Sequence, residues 1–294
     1  MNVPAVETHD LTKRYRETLA LDAVSISVQQ GSVYGLVGPN GAGKTTLLGI
    51  LSGLRRRSAG TFSVVAARIG VLSDTPSFDS WLTAHEVVDL SRSLNAPDVE
   101  ASNVDRVLAL TGLTDVARRR IGGFSRGMLQ RLGLAAAVVG EPDVLLLDEP
   151  AAALDPAGRR EVLDLVTALR GTSTVVFSSH ILDDVQQVCD TVGILNKGRI
   201  VYDGTLADLI RNTGHDAAYQ VRIRGDGSEL LGVLNSCGWT TNVAVDGDVV
   251  TVSASSAAVL ERELVRCLAR VDTPIVSVRP VERSLEDVFL EVTR

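Results

Sequence analysis

The stretch GPNGAGKTT, Gly38 to Thr46, constrains this 294-residue chain more than any other. Gly38, Gly43, Lys44 and Thr45 have the spacing G-x-x-x-x-G-K-T, directly after the apolar run VYGLV and directly before TTLLGILSGL. A strand that runs through a glycine-rich loop into a helix turns successive backbone N–H groups toward one point at the helix N-terminus, where phosphate is favoured. Gly38, Pro39, Asn40, Gly41, Ala42, Gly43, Lys44, Thr45 and Thr46 are therefore the candidate phosphate cradle. In it Lys44 neutralises phosphate oxygens and the Thr45 hydroxyl ligates a hard cation. Leu47, Leu51 and Leu54 are expected on one face of the helix that follows.

A second apolar run, VLLLDEP, ends in two adjacent carboxylates, Asp148 and Glu149. Such a pair at a buried strand's end is costly unless cations or polarised water meet it. Asp148 is the candidate metal ligand, acting through a water, and Glu149 the group that polarises an attacking water. The alternative is a strand that runs into a solvated acidic turn. In FSRGMLQR, Ser125 is a good N-cap, and Gly127 permits close approach to the N–H groups behind it, so this helix start is a second anion site. Capping of a core helix that buries Met128, Leu129 and Leu132 is compatible with that role.

Short apolar runs followed by turns and helix-like stretches continue to about residue 205, the pattern of parallel strands with crossover helices. VYGLV, VLLL at 144–147 and TVVF at 174–177 lack polar alternation and read as buried strands, and GILNKGRIVYDG reads as a hairpin turning at Asn196 to Gly198. After TLADLIRNTGHDAA, a short helix and linker, the order becomes strand, helix, hairpin at Asp246-Gly247, helix, strand, helix. We therefore expect two domains, 1–213 and 214–294, the second a small ferredoxin-like α+β fold with an added terminal helix over Ser284 to Thr293.

Composition narrows the class. A net charge of −7 argues against a broad basic surface for nucleic acid, and the runs Arg55 to Arg57 and Arg118 to Arg120 read as solvated faces. No stretch approaches the roughly twenty apolar residues of a membrane span, and the N-terminus lacks a signal pattern, so a soluble chain kept inside the cell is expected. Cys189, Cys237 and Cys267 are far apart with no metal-ligand spacing; inert or mildly reactive thiols in a reducing compartment, and no zinc, are expected.

GPNGAGKTT, FSRGMLQR, LLLDEP, AALDP and SSH occur in the order and spacing of the ATP-binding subunits of ABC transporters, over roughly the first 205 residues. The resemblance implies a P-loop nucleoside-triphosphatase fold: a parallel-sheet core, an antiparallel β subdomain and a helical subdomain. It implies ATP and Mg²⁺ as cofactors, with Lys44, Glu149 and His180 catalytic and Thr45 and Asp148 at the metal. FSRGM resembles the signature motif, so that Ser125 and Gly127 contact the nucleotide of a second copy packed head to tail. His180 resembles the switch histidine that contacts the γ-phosphate, whereas a lone histidine is more often structural. Asp155 resembles the loop that crosses the dimer interface, while Asp155-Pro156 also starts a helix. Tyr15 resembles the aromatic that stacks on adenine, with a plain edge-strand tyrosine as the alternative.

Three features depart from the family's pattern. IGVLSDTPSFDSWLTAHE contains no glutamine where the family has one, and Asp74, a possible ligand for a hard cation, falls at or near that place. LRRRSAGTFSVVAARIG is short, so part of the antiparallel subdomain is trimmed, and Arg126 stands where glycine is more frequent. The ending SLEDVFLEVT resembles that of subunits of the bacitracin and daunorubicin resistance type, and is also what an amphipathic terminal helix looks like. The expected protein is an ATPase that closes as a homodimer and drives a separate polytopic permease through about residues 76–140. The expected direction is export and the expected location the cytoplasmic face of the membrane. A soluble ABC-type ATPase acting on nucleic acid or ribosomes, and a non-hydrolysing regulatory module, are the alternatives.

Overall fold

The computed structural model describes residues 3–152, 154–212, 217–281 and 289. Backbone packing divides the chain into two compact units, one running to Leu209 and also taking in Phe289, the other Ile210–Val288.

The first unit opens with a long hairpin, β1 (Pro4–Tyr15) and β2 (Thr18–Gln29), followed by β3 (Val33–Val37) and α1 (Lys44–Leu51). Then come β4 (Ala59–Val64) and β5 (Ile69–Leu72), and the helices α2 (Ala84–Asn95), α3 (Ser102–Leu110) and α4 (Arg126–Val138). The remaining elements are β6 (Val144–Asp148), α5 (Pro156–Ala168), β7 (Thr174–Ser179), α6 (Leu182–Val188), β8 (Thr191–Asn196) and β9 (Arg199–Thr205), and the boundary between the units falls within α7 (Leu206–Asn212). Strands β2, β1 and β4 form an antiparallel sheet in that order. The second sheet runs β5-β6-β7-β3-β8-β9, parallel except for β9.

Strands β3, β6 and β7 are buried at every position, which is why they show no polar alternation in the sequence. One core joins the two sheets: Leu11, Leu21 and Val24 from the antiparallel sheet pack in the same cluster as Leu36, Leu47, Leu51 and Leu146. Each fully buried leucine contributes about 1.5–3 kcal/mol relative to exposure. Leu54 departs from the expectation that it shares this face, because α1 ends at Leu51 and Leu54 is exposed. The helical region starts cleanly at Thr83, whose Oγ1 accepts from Glu86 N while Glu86 Oε2 accepts from Thr83 N, a capping box that fixes α2. Among the described residues no helix is long and apolar enough to cross a membrane.

The second unit contains β10 (Ala217–Ile223), α8 (Ser228–Asn235), β11 (Asn242–Asp246), β12 (Val249–Ala254), α9 (Ala257–Leu268) and β13 (Ile275–Pro280). Its sheet order is β11-β12-β10-β13, antiparallel throughout, the split βαβ arrangement of ferredoxin-like folds. Val221, Val250, Val252, Leu230, Leu234, Leu260 and Leu264 form a core of its own. The terminal helix expected over 284–293 lies, apart from Phe289, outside the described residues.

Candidate functional site

The parallel strands direct their C-terminal ends to one edge of the sheet, and the candidate residues follow those ends. Register pairs Val37 with Ser179 and Ile194, Asp148 with Ser178, and Leu72 with Leu147. The loop after β3, the carboxylates ending β6, the histidine after β7 and Asp74 after β5 are thereby gathered at one sheet edge, the ordinary location of ligands in open α/β sheets.

The loop conformation depends on two glycines. A Cβ on Gly38 would lie 2.2 Å from Leu195 O. Gly43, the N-cap of α1, has φ +114°, and a Cβ there would meet Ala20 O at 2.5 Å. The first turn of α1 thus begins without a side-chain cap, leaving its N–H groups for an external acceptor. The loop is braced from outside: Gly198 N donates to Ala42 O at 3.0 Å, and Asp22 N donates to Gly198 O at 2.8 Å.

A pocket of about 380 Å³ lies over this loop, lined by Pro39 to Thr46 together with Asp74, Glu149, Thr18 to Ala20, Lys197 and Gly198. Lys44 Nζ donates to Gly38 O at 2.7 Å and lies 3.2 Å from Glu149 Oε1. That Oε1 is buried and accepts no hydrogen bond, so the Lys44 contact is charge attraction without a directed bond. The other carboxylate oxygen, Oε2, lies 2.8 Å from His180 Nδ1. Glu149 has φ +48°, a strained conformation for a residue with a side chain. Neighbours hold it there: Glu149 N donates to Ser178 Oγ at 2.9 Å, and the buried Gln130 Nε2 donates to Glu149 O at 3.3 Å. Ser178 Oγ also donates to Asp148 Oδ1 at 2.5 Å, which orients the second carboxylate.

Other expected site residues stand apart from this group. Ser125 and Gly127 do not line the pocket; Ser125 is exposed, and its Oγ accepts from Met128 N at 3.2 Å as the cap of α4. In α4 Leu132 is buried, whereas Met128 and Leu129 are half-buried. Asp155 likewise caps α5, its Oδ1 accepting from Gly158 N at 2.9 Å, with Pro156 in the first turn. Tyr15 does not line the pocket either. Its hydroxyl accepts from Arg55 Nη1 at 3.0 Å and Lys13 Nζ stands 4.6 Å over its ring. The basic run at Arg55 is therefore more than a solvated face.

Sequence reasoning missed Lys197, Gly198 and Thr18 to Ala20 as pocket walls, and Gln130 and Ser178 as supports of Glu149. The serine preceding Ser179-His180 was visible as part of SSH, but only the register of β6 with β7 puts it beside Asp148.

The donor set fits a hard cation and a polyphosphate. Thr45 and Asp74 line the pocket and offer oxygen only, Asp148, buried at the end of β6 and outside that lining, offers a further carboxylate, and the uncapped start of α1 offers N–H groups. Among the described residues no cluster of three or more His, Cys, Asp or Glu could hold a metal ion without other donors.

A parallel sheet whose phosphate loop enters a helix, with a carboxylate pair ending a strand one removed from it across β7, defines a P-loop nucleoside-triphosphatase. The ABC transporter family matches residues 21–152. The bacitracin transport ATP-binding protein BcrA of Enterococcus faecalis is 31% identical over 297 residues, which cover 97% of this chain and 94% of the relative. The daunorubicin resistance ATP-binding protein DrrA3 of Streptomyces coeruleorubidus is 34% identical over 305 residues, with 98% and 96% covered. A dimeric ATP-binding cassette solved in a post-hydrolysis state with ADP and Pi superposes with a TM-score of 0.64 at 22% identity, over 68% of this chain and 98% of that one. The chain belongs to the ABC transporter ATP-binding proteins, which bind and hydrolyse ATP.

Proposed function

We propose that the chain is the ATP-hydrolysing subunit of an exporter, that two copies close head to tail on two ATP molecules, and that closure drives a separate membrane permease. The observation that carries the hydrolytic part is the setting of Glu149. Its carboxylate stands between Lys44 and His180 on the pocket wall, and its buried Oε1 accepts no hydrogen bond. An oxygen so placed suits a group that accepts one from the attacking water. Lys44 and the N–H groups of the loop hold the phosphates, and His180, 2.8 Å from Glu149, acts at the γ-phosphate. Thr45 and Asp148 would hold Mg²⁺, and Asp74 lines the same pocket as Thr45. Bound there, the cation neutralises phosphate charge.

The dimer follows from what one copy lacks. Ser125, Gly127 and Asp155 belong to the site by resemblance yet do not line the pocket of their own chain, and Ser125 is exposed at a helix start. A two-fold partner supplies the missing anion site. Tyr15 stacks on adenine. Export is favoured by relatives named for bacitracin transport and daunorubicin resistance. The permease meets the region 76–140, where Trp81, Leu90 and Leu94 are exposed, and holds the subunit at the cytoplasmic face of the membrane. The ferredoxin-like unit from residue 214 onward is an accessory or regulatory domain.

Purification of the tagged chain from gently solubilised membranes, followed by mass spectrometry, tests this reading. A stoichiometric polytopic membrane protein is expected. Recovery of soluble protein or ribosomes alone, with hydrolysis stimulated by RNA or DNA, would overturn it.

A further inference from the structure

Cys237 and Cys267 are 30 residues apart in sequence, with nothing in their spacing to pair them, yet their Sγ atoms lie 3.3 Å apart. That is about 1.3 Å beyond the length of an S–S bond, ~2.05 Å. Each sulfur is held. Cys237 follows α8, and its Sγ also donates to Val233 O at 3.2 Å. The backbone around it is pinned by Thr240, whose Oγ1 donates to Cys237 O at 2.9 Å and contacts Leu234 O at 3.1 Å. Cys267 lies in the last turn of α9, buried in the core of the second unit with Leu260 and Leu264. Cys237 is only half-buried.

We propose that Cys237 and Cys267 form an oxidation site at which a hydroperoxide crosslinks α8 to α9 within one chain. The half-buried Cys237 sulfur meets the oxidant first. It attacks the peroxide, the O–O bond breaks, and a sulfenic acid forms as the peroxide is reduced to an alcohol, or to water from hydrogen peroxide. The Cys267 sulfur then displaces the sulfenic oxygen. The S–S bond forms, and the Cys267 thiol proton leaves with that oxygen as water, so two thiols have lost two electrons and two protons in all. Burial, then the hydrogen bond and charge of Cys237, push the Cys267 thiol up to about 11. This suits the order of events: a protonated, enclosed thiol does not meet the oxidant, but it is already in contact with the sulfur it must attack. The remaining thiol, Cys189, belongs to the first unit, and burial raises it well above its ordinary value, which leaves it out of the reaction.

The consequence is local. The bond ties the segment just after α8 to α9 across the apolar core of the second unit, and a thiol reductant releases it.

The test uses the full chain, reduced and then exposed to hydrogen peroxide before quenching. The expected result is a monomer lighter by two hydrogens, with free thiols in denaturant falling from three to one per chain. Peptide mapping should join Cys237 to Cys267, and dithiothreitol should restore all three thiols. Cys189→Ser should crosslink at the unchanged rate, whereas Cys237→Ser should lose the crosslink. Three results would overturn the proposal: oxygen added at Cys237 while Cys267 stays free, a crosslink only between chains, or three unreacted thiols under conditions that consume glutathione. The unsubstituted chain decides among them by mass, so the outcome does not rest on whether a variant folds.

Discussion

Arg159 Nε lies 2.5 Å from Oδ1 of the buried Asp184, joining the helix that starts after Asp155 to the helix that starts after His180. Burial pushes the Asp184 carboxyl above its ordinary range, while the bond and charge of Arg159 and a bond from Ser179 oppose the rise. Arg159→Leu removes the cation and leaves a buried carboxylate, which costs about 3 kcal/mol of stability. The pH dependence has a definite sign. A folded-state pKa raised further above the unfolded value of about 3.9 makes the folded chain bind more protons than the unfolded one. Stability then falls as pH rises through that window and levels off above it. Thermal unfolding should show a smaller loss for Arg159→Leu around pH 4 than around pH 8. An equal loss at both would show that the pair acts through packing alone.

Glu149→Gln keeps the shape of the side chain, and the backbone bonds to Ser178 and Gln130 do not depend on its charge. What it removes is the group able to take a proton from water. ATP binding should survive, and hydrolysis should fall on the order of 10²- to 10⁴-fold, the usual contribution of a positioned base. Equilibrium binding of a fluorescent ATP analogue and a phosphate-release assay on the same sample separate the two. Steady turnover in the variant would remove Glu149 from the chemistry.

Ser125 tests the composite site. Ser125→Arg removes the cap on Met128 N and sets a bulky cation at an exposed helix start, where a partner's phosphates are expected. Nucleotide binding to the monomer should change little, because Ser125 does not line the pocket of its own chain. Cooperative hydrolysis should be lost. The control is Arg126→Ala, one residue on, which leaves the cap in place and should retain the Hill slope. An unchanged slope and rate in Ser125→Arg would mean that each copy hydrolyses alone.

How much of this was legible in the sequence depends on whether a residue's role is set locally or by packing. The phosphate loop, the carboxylates after β6 and the caps Ser125 and Asp155 are local, since strand-loop-helix order and side-chain type fix them. The hairpin at Lys197-Gly198 was legible as a turn, but nothing in its residues tells which loop it braces; the bond from Gly198 to Ala42 does. Leu54 fell outside the helix because the periodic pattern does not mark where α1 stops. The Arg159 and Asp184 pair, and the contact between Cys237 and Cys267, join residues 25 and 30 apart. Such contacts depend on how two helices are laid together, which neither spacing nor composition records.

The Tyr15 phenol offers a spectroscopic test of the adenine reading. Burial raises its pKa, but the hydrogen bond and charge of Arg55, a bond from Thr46 and the charge of Lys13 outweigh that and hold it below the ordinary value. The other three tyrosines, Tyr34, Tyr202 and Tyr219, are all shifted upward, burial being the leading cause in each. The first phenolate to appear in an alkaline absorbance titration should therefore be Tyr15, below about pH 10. Tyr15→Phe should delete that limb. Arg55→Leu should move it upward, since both a donor and a positive charge are lost. If adenine stacks on this ring, saturating ATP should shift the limb by more than inorganic pyrophosphate does, because pyrophosphate fills the phosphate loop without a base and reaches the phenol only through Thr46. An equal response to both ligands would make Tyr15 an edge-strand residue held by Arg55, with no part in binding the base.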